Sequence, residues 1–118
     1  MKNRPFLERL GFAFFGLREA WRRERSFRTQ VLIGSMTLIV VAVVGASSTW
    51  WAIIGLTIAL VLAAELFNAA LEALIDHLHP HIHPEIRVAK DVAAAGVLLV
   101  SVGAMIVGLI FLYSKIWP

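Results

Sequence analysis

The sequence predicts an all-α membrane protein with three transmembrane helices preceded by an amphipathic helix at the membrane surface. Of its 118 residues, 59% are hydrophobic and only 16% are charged, whereas about 25% charged residues are usual in globular domains. Charged residues are absent from Thr29 to Ala64 and again from Val92 to Ser114. Because so small a water-soluble domain cannot bury this much apolar surface, a secreted mini-domain, a disordered tail and an ordinary cytosolic enzyme are excluded.

The surface helix is predicted within residues 1–26. Apolar side chains recur there at helical spacing: Leu7, Leu10, Phe14, Leu17 and Trp21. One apolar stripe with basic residues beside it is typical of a helix that lies in the plane of the lipid headgroups. Packing of the same stripe against the transmembrane helices is the alternative, and the two are compatible.

The transmembrane helices are delimited by one polar break and by the length of a span. A Gly-Ala-Ser-Ser-Thr stretch at residues 45–49 interrupts the first uncharged run, and Trp50 and Trp51 follow it as an interfacial anchor. About 20 apolar residues cross a bilayer. We therefore expect transmembrane helices at 27–44, 50–75 and 90–113, so that residues 1–118 form a single membrane domain.

The basic residues predict the orientation of these helices. Eight of the eleven Lys and Arg residues lie in the first 28 residues, and two more lie in the loop at 77–91. Because basic loops stay in the cytoplasm, we expect the N-terminus inside the cell and the C-terminus outside. The same placement explains the basic pI better than nucleic-acid binding does. The chain has no cysteine, which excludes disulfides and thiolate metal sites.

Four polar residues lie in the second predicted span, at Glu65, Asn68, Glu72 and Asp76. At 100° per residue they fall within an arc of about 80°, on one helix face. Ionisable residues at membrane depth are expensive and usually functional. Asp76 alone could be an ordinary interfacial residue, but that explanation does not cover Glu65 and Asn68.

Further charged residues are expected at the same membrane boundary. Glu24 precedes the first span, and Lys90 and Asp91 are predicted to open the third. Paired carboxylates can hold a hard divalent cation, a lysine can bind phosphate, and a deeper carboxylate such as Glu65 can accept a proton. This set suits phosphoryl transfer from a soluble nucleotide to a lipid alcohol.

The segment from Glu65 to Asp76 reads E-L-F-N-A-A-L-E-A-L-I-D. It resembles the signature E-x-x-N-[ST]-[SA]-x-E-x-x-V-D of the small prokaryotic diacylglycerol kinases. Ala89-Lys90-Asp91 is similar to the family's A-K-D, and the pieces G-L-R-E-A-W at 16–21, Glu24 and Phe27-Arg28 are similar to its N-terminal segment. Departures from the family pattern occur at Ala69, at Ile75 and at residues 92–94.

The resemblance implies an ATP- and Mg²⁺-dependent kinase that phosphorylates a membrane lipid alcohol, in a bacterial inner membrane. It also implies a homotrimer whose active sites lie between neighbouring protomers. Carried over, Glu65 would be the general base, supported by Asn68, and Glu24 and Glu72 would hold the metal–ATP complex. The other implied nucleotide contacts are His83, Lys90 and Asp91. The implied lining of the lipid entrance is Arg18, Trp21, Phe27 and Arg28, beside Glu65.

Several alternatives stay open at this point. Diacylglycerol is the favoured acceptor, and undecaprenol is the acceptor of some relatives. A small ion- or proton-coupled transporter subunit would need only Glu65, but it leaves the other polar residues without a role, and a non-catalytic scaffold leaves more. The alternating histidines at 77–83 invite a zinc site, although a solvated loop is the simpler interpretation.

Overall fold

The computed structural model describes residues 2–117 and consists of four helices joined by short connections. The helices are α1 (Phe6–Arg23), α2 (Arg25–Val43), α3 (Ser48–Leu78) and α4 (Pro84–Ile116). Three of them, α2, α3 and α4, are long and apolar enough to cross a membrane. The all-helical prediction, with one amphipathic helix before three membrane-spanning ones, is therefore confirmed.

The ends of the helices differ from the predicted ones, most of all at α4. The helix begins at Pro84, where the sequence analysis placed a loop, and not at Lys90. The Nδ1 atom of His83 accepts a hydrogen bond from the backbone N–H of Glu85, and proline is well suited to the first position of a helix. Lys90 and Asp91 therefore lie in the second turn of α4, which corrects the expectation that they open it.

The other helix ends shift by smaller amounts. α1 ends at Arg23 and α2 begins at Arg25, because only Glu24, with an extended backbone, separates them. α3 starts two residues earlier than expected, since the hydroxyl of Ser47 accepts a hydrogen bond from the N–H of Trp50, and it continues to Leu78. The histidine loop is accordingly shorter than predicted and covers 79–83.

The small core of the chain lies at the end of the bundle where α2 turns into α3. Val41, Ile54 and Phe111 are buried there, one from each spanning helix. The ring of Trp50 meets that of Phe111 edge-on, with 5.1 Å between centroids. The connecting turn reverses the chain at Gly45, whose φ of 69° favours a residue without a side chain. Apolar packing holds this end of the bundle together. The polar residues singled out in the sequence lie toward the opposite end.

Most large hydrophobic side chains of α2, α3 and α4 are exposed on the single chain. Within the described residues, the buried hydrophobic ones are Ala20, Phe27, Val41, Ile54, Val61 and Phe111. A helix that is apolar on all sides is expected in lipid, where hydrocarbon covers the outward faces. The burial pattern therefore supports a membrane location.

Most of the apolar stripe of α1 is exposed on the single chain, although Leu17 lines a groove against α3. Leu7 is 79% exposed, Phe14 63% and Trp21 50%, whereas Ala20 on another face is buried. The two alternatives for this stripe therefore remain compatible, since Leu17 faces α3 while Leu7 and Phe14 are exposed. The exposed stripe is available to the headgroup layer.

Gly34 of α2 packs closely against the side chain of Ile58 on α3. A Cβ built at this position would lie 3.0 Å from Cγ2 of Ile58. We expect Gly34→Leu to push α2 away from α3 and to lower the thermal stability of the detergent-solubilised protein by several degrees. Gly55→Leu is the control, because among residues 2–117 no atom outside its own stretch of helix lies within 4 Å of its Cβ position. Equal melting temperatures for the two variants would contradict this packing.

Candidate functional site

The predicted site residues gather at the end of the bundle opposite the apolar core. Here the α1–α2 corner, the C-terminal half of α3 and the first turns of α4 come together. Three contacts between different elements or along α3 define this region: Ser26 with Glu65, Asn68 with Glu72, and Lys90 with Asp76. These contacts join the first turn of α2 to α3 and join α3 to α4; that Glu24, Glu65, Glu72 and Lys90 act as one site stays a prediction.

Glu65 is the most deeply placed acidic residue of the site. It is 5% exposed, and its Oε2 accepts a hydrogen bond of 2.8 Å from the Ser26 hydroxyl. A buried carboxylate needs such a donor, since an unpaired one is expensive to bury. The contact joins the first turn of α2 to the middle of α3.

One turn further along α3, Asn68 and Glu72 are both half-buried. The amide nitrogen Nδ2 of Asn68 lies 3.5 Å from Oε1 of Glu72. Its carbonyl oxygen Oδ1 is buried and makes no hydrogen bond within the described residues. A buried acceptor oxygen next to a carboxylate is free to bind a cation or another donor.

Asp76 and Lys90 form an ion pair that connects the end of α3 to the second turn of α4. Beside it, Nε of Arg87 lies 3.4 Å from the Oδ1 atom of Asp91 along α4. The lysine is about one-third exposed, so its charge is accessible from water. A phosphate that binds Lys90 would therefore compete with Asp76 for the ammonium group.

Glu24 occupies the corner between α1 and α2. Its backbone N–H donates to the carbonyl of Ala20, and its carbonyl accepts from the N–H of Arg28. The guanidinium of Arg28 donates through Nη1 to the carbonyls of Trp21 and Arg22, at 2.7 and 3.2 Å. A cation at the C-terminal end of α1 also complements the helix dipole. Arg28 thereby holds the first turn of α2 to the end of α1, and so restricts the angle between the two helices that flank Glu24.

A groove of about 520 Å³ lies between α1 and α3 beside this corner. Its charged lining residues are Glu19, Arg23 and Glu24. From α3 it receives only Leu66, Ala69, Ala70 and Ala73. Alanine at position 69, where the resembled signature has a hydroxyl residue, leaves the α3 side of the groove without a polar side chain.

The four residues expected at the lipid entrance have different surroundings. Arg18 is exposed on α1, and the indole of Trp21 is half exposed. Phe27 is 5% exposed, so its ring packs inside the chain. The guanidinium of Arg28 is engaged at the end of α1, as described above. Only Arg18 and Trp21 thus offer their side chains to the surroundings of the single chain.

His83 is the last residue of the histidine loop, and its side chain caps the N-terminus of α4. The ring of His79 meets those of His81 and His83 edge-on, with centroids 6.3 and 6.0 Å apart. Between residues 2 and 117, no group of three His, Asp or Glu side chains is arranged to hold a metal ion by itself. The structure therefore gives no support to the zinc alternative.

Magnesium is the metal implied by the chemistry proposed for this region, and the donor set suits it. Mg²⁺ is usually bound by one or two carboxylates together with water and substrate phosphates. The carboxylates of Glu24 and Glu72 and the unpartnered Oδ1 of Asn68 supply oxygen donors only. The residues therefore fit a magnesium–nucleotide complex that is completed by the nucleotide.

Glu19 lies on the polar face of α1, and its ion pairs make the stability of this helix depend on pH. Hydrogen bonds from Arg22, together with the charges of Arg22 and Arg23, hold the pKa of Glu19 below its ordinary value near 4.5. Because the pKa is lowered in the folded chain, the stabilisation is present above about pH 4.5 and is lost as the pH falls through the folded value. Solvent screening keeps the effect small.

We expect amide exchange in the last turn of α1, corrected for intrinsic rates, to accelerate modestly below pH 4.5. Glu19→Gln should show the faster exchange already at pH 7 and no such step. Glu8→Gln is the control, because Glu8 has only a 3.8 Å ion pair with Arg4. An identical pH response in wild type and Glu19→Gln would refute the assignment.

Sequence reasoning missed two polar contacts of the site. It did not single out Ser26, because nothing in a lone sequence pairs a hydroxyl with a carboxylate 39 residues away. It treated Asp76 as a member of the polar face of α3 but not as the partner of Lys90. The helical spacing of Asp76 and its position at the same boundary as Lys90 were the available signals.

Comparison with known families adds an independent finding. The family model described as prokaryotic diacylglycerol kinase matches residues 11–112. The matched range includes every candidate site residue named above. No curated protein matches the chain closely enough to count as a relative.

Proposed function

Because the chain belongs to the prokaryotic diacylglycerol kinase family and is thus a lipid kinase of the bacterial inner membrane, we propose that it transfers the γ-phosphoryl group of ATP to diacylglycerol. The observation that carries the proposal is the placement of a buried carboxylate, Glu65, at the same end of the bundle as Lys90 and the Asn68–Glu72 pair. The hydroxyl group of a membrane lipid and a water-soluble triphosphate can react only where the hydrocarbon layer meets the aqueous phase.

In the proposed reaction, Glu65 accepts the proton of the lipid hydroxyl as that oxygen attacks the γ-phosphorus. The new P–O bond forms while the bond to the ADP oxygen breaks. Mg²⁺, when bound, would neutralise charge on the phosphates. Glu24 and Glu72, with Oδ1 of Asn68, would hold the metal–nucleotide complex, and Lys90, Asp91 and His83 would orient the nucleotide. Catalysis of this kind depends on positioning and electrostatics.

A second groove suits the hydrocarbon part of the substrate. It has a volume of about 700 Å³, and its lining from α2, α3 and α4 is almost wholly apolar. Gln30 and Val61 line it, one helical turn from Ser26 and Glu65 respectively. An acyl chain whose hydroxyl lies at Glu65 can therefore follow the groove toward the core end. Arg18 and Trp21, with Arg28 at the α1 corner and Phe27 behind it, border the approach for the headgroup.

The topology follows from the same chemistry. ATP is a cytoplasmic substrate, so the end of the bundle that carries Glu24, Glu72 and Lys90 faces the cytoplasm. The N-terminus then lies inside and the C-terminus outside, as the distribution of basic residues also predicts.

We further propose a homotrimer with active sites shared between protomers. One feature supports it: the nucleotide residues Glu24, Glu72 and Lys90 are only half-buried in the single chain, so a neighbouring protomer can complete the site. The test is complementation. Chains with Glu65→Gln and chains with Lys90→Ala, each strongly impaired alone, should regain part of the activity when coexpressed, because mixed oligomers contain some sites that take Glu65 from one protomer and Lys90 from its neighbour. Absence of any recovery in verified mixed oligomers would contradict shared sites.

A side-by-side assay tests the substrate. Purified protein in detergent with Mg·ATP is given diacylglycerol or undecaprenol, the alternative acceptor, at matched mole fractions. We expect kcat/KM to be higher for diacylglycerol. A preference for undecaprenol would replace the proposed acceptor, and phosphorylation of neither lipid would contradict the kinase proposal for this chain.

A further inference from the structure

The hydroxyl of Ser26 is the only side-chain hydrogen-bond donor to Glu65 within the part of the chain that the structure describes. Its Oγ lies 2.8 Å from Oε2 of Glu65. The carboxylate is 5% exposed, whereas Ser26 is exposed at the start of α2.

The hydrogen bond from Ser26 engages only one of the two carboxylate oxygens of Glu65. Oε2 is occupied by the Ser26 hydroxyl, and no hydrogen bond to Oε1 is present among residues 2–117. A glutamate has three rotatable side-chain bonds, and a fixed oxygen reduces the conformations that must be lost before proton transfer. A general base must also lie within about 3.2 Å of the proton it removes. The contact therefore restricts the orientation of the carboxylate and leaves Oε1 without a hydrogen bond among residues 2–117.

The position of Ser26 in the chain adds a second consequence. Ser26 lies in the first turn of α2, and Glu24 is the N-terminal cap of the same helix. The turn that presents Glu24 thus also holds the carboxylate of Glu65 on α3. A short, rigid piece of backbone consequently sets the separation between these two acidic groups.

We propose that Ser26 is a positioning residue for the general base. Its hydroxyl orients Glu65 and couples the position of the base to that of Glu24. This inference rests on the proposed function, since it takes Glu65 as the base and Glu24 as part of the metal–nucleotide site. Ser26 touches neither substrate in this scheme, so it acts only through Glu65.

The test is steady-state kinetics of Ser26→Ala in the full-length protein, with diacylglycerol and Mg·ATP. We expect kcat to fall about tenfold, because misplaced catalytic groups lose a large part of their effect. The KM values for lipid and Mg·ATP should stay within about twofold, since neither substrate contacts the hydroxyl. Ser26→Thr, which keeps a hydroxyl, should restore most of kcat.

Ser35→Ala is the matched control. Ser35 lies on the same helix, and its hydroxyl donates only to the carbonyl of Val31 in that helix, at 2.9 Å. This variant should have the kcat of wild type. Equal kcat values for Ser26→Ala and Ser35→Ala would overturn the inference while leaving the proposed function intact. A loss in Ser26→Ala that appears as raised KM values or a lowered melting temperature, without rescue by threonine, would also overturn it.

The failure of the proposed function has a different signature. Wild-type protein that phosphorylates neither lipid, or a Glu65→Gln variant with wild-type kcat, would overturn the proposed function and this inference together. If the wild type is active and Glu65→Gln is inactive, the proposed function is supported. The kinetics of the Ser26 variants and of Ser35→Ala then decide this inference by themselves.

Discussion

Glu65→Gln is expected to lower kcat for lipid phosphorylation by about 10²–10⁴-fold, the range that general base catalysis typically contributes. The amide has the shape of the carboxylate but cannot accept the proton of the lipid hydroxyl. Its carbonyl oxygen can still accept the hydrogen bond from Ser26, so the buried position remains satisfied and the protein should fold. The measurement is the initial rate of radiolabelled phosphate transfer to the lipid.

The matched control is Glu85→Gln. Glu85 is an exposed acidic residue in the first turn of α4, at the same end of the bundle. The control removes the same charge without touching the proposed chemistry and should retain the wild-type rate within about twofold. If Glu65→Gln kept more than roughly a tenth of the wild-type kcat, Glu65 would not be the base.

Glu72→Gln is expected to raise the Mg²⁺ concentration needed for half-maximal activity by at least about tenfold. The substitution removes one negative charge and one oxygen donor from the place where Asn68 leaves a buried carbonyl oxygen without a partner. A hard cation loses affinity when a carboxylate is replaced by an amide. Glu24→Gln should act in the same direction, and removal of Mg²⁺ by a chelator should abolish the activity of all forms.

The Mg²⁺ titration is made at saturating lipid, with ATP held constant, and Glu85→Gln again serves as the control. An unchanged Mg²⁺ dependence in Glu72→Gln would contradict its assignment as a metal ligand. A loss of kcat that no concentration of Mg²⁺ relieves would instead indicate that Glu72 acts on the reaction in another way.

Much of the architecture was predictable because membrane insertion depends on local sequence. The two uncharged runs and the break near Gly45 define three spans without any knowledge of how the helices pack. The stripe from Leu7 to Trp21 likewise depends only on helical periodicity. Helix ends were less predictable: Pro84 reads as a loop residue until the side chain of His83 is seen capping the helix that it begins.

The candidate site was predictable only where its residues share one helix. Spacing alone places Glu65, Asn68 and Glu72 on one face, because the geometry of a helix is fixed. The roles of Glu24 and Lys90, by contrast, came from the resemblance to a family, and they remain proposals. The orientation of Arg28 toward the end of α1 could not be predicted from the sequence. A guanidinium can donate hydrogen bonds to a backbone carbonyl as readily as to a bound ligand.

The sequence by itself determined that this protein is a bundle of membrane-spanning helices with acidic residues on one face of the second span. Hydrophobicity and helical periodicity act over short stretches of chain, so they can be read from the order of residues. Only the tertiary structure decided that Ser26 holds the carboxylate of Glu65 and that Asp76 pairs with Lys90. Those pairings depend on how α2 and α4 pack on α3, which close contacts such as that of Gly34 with Ile58 determine.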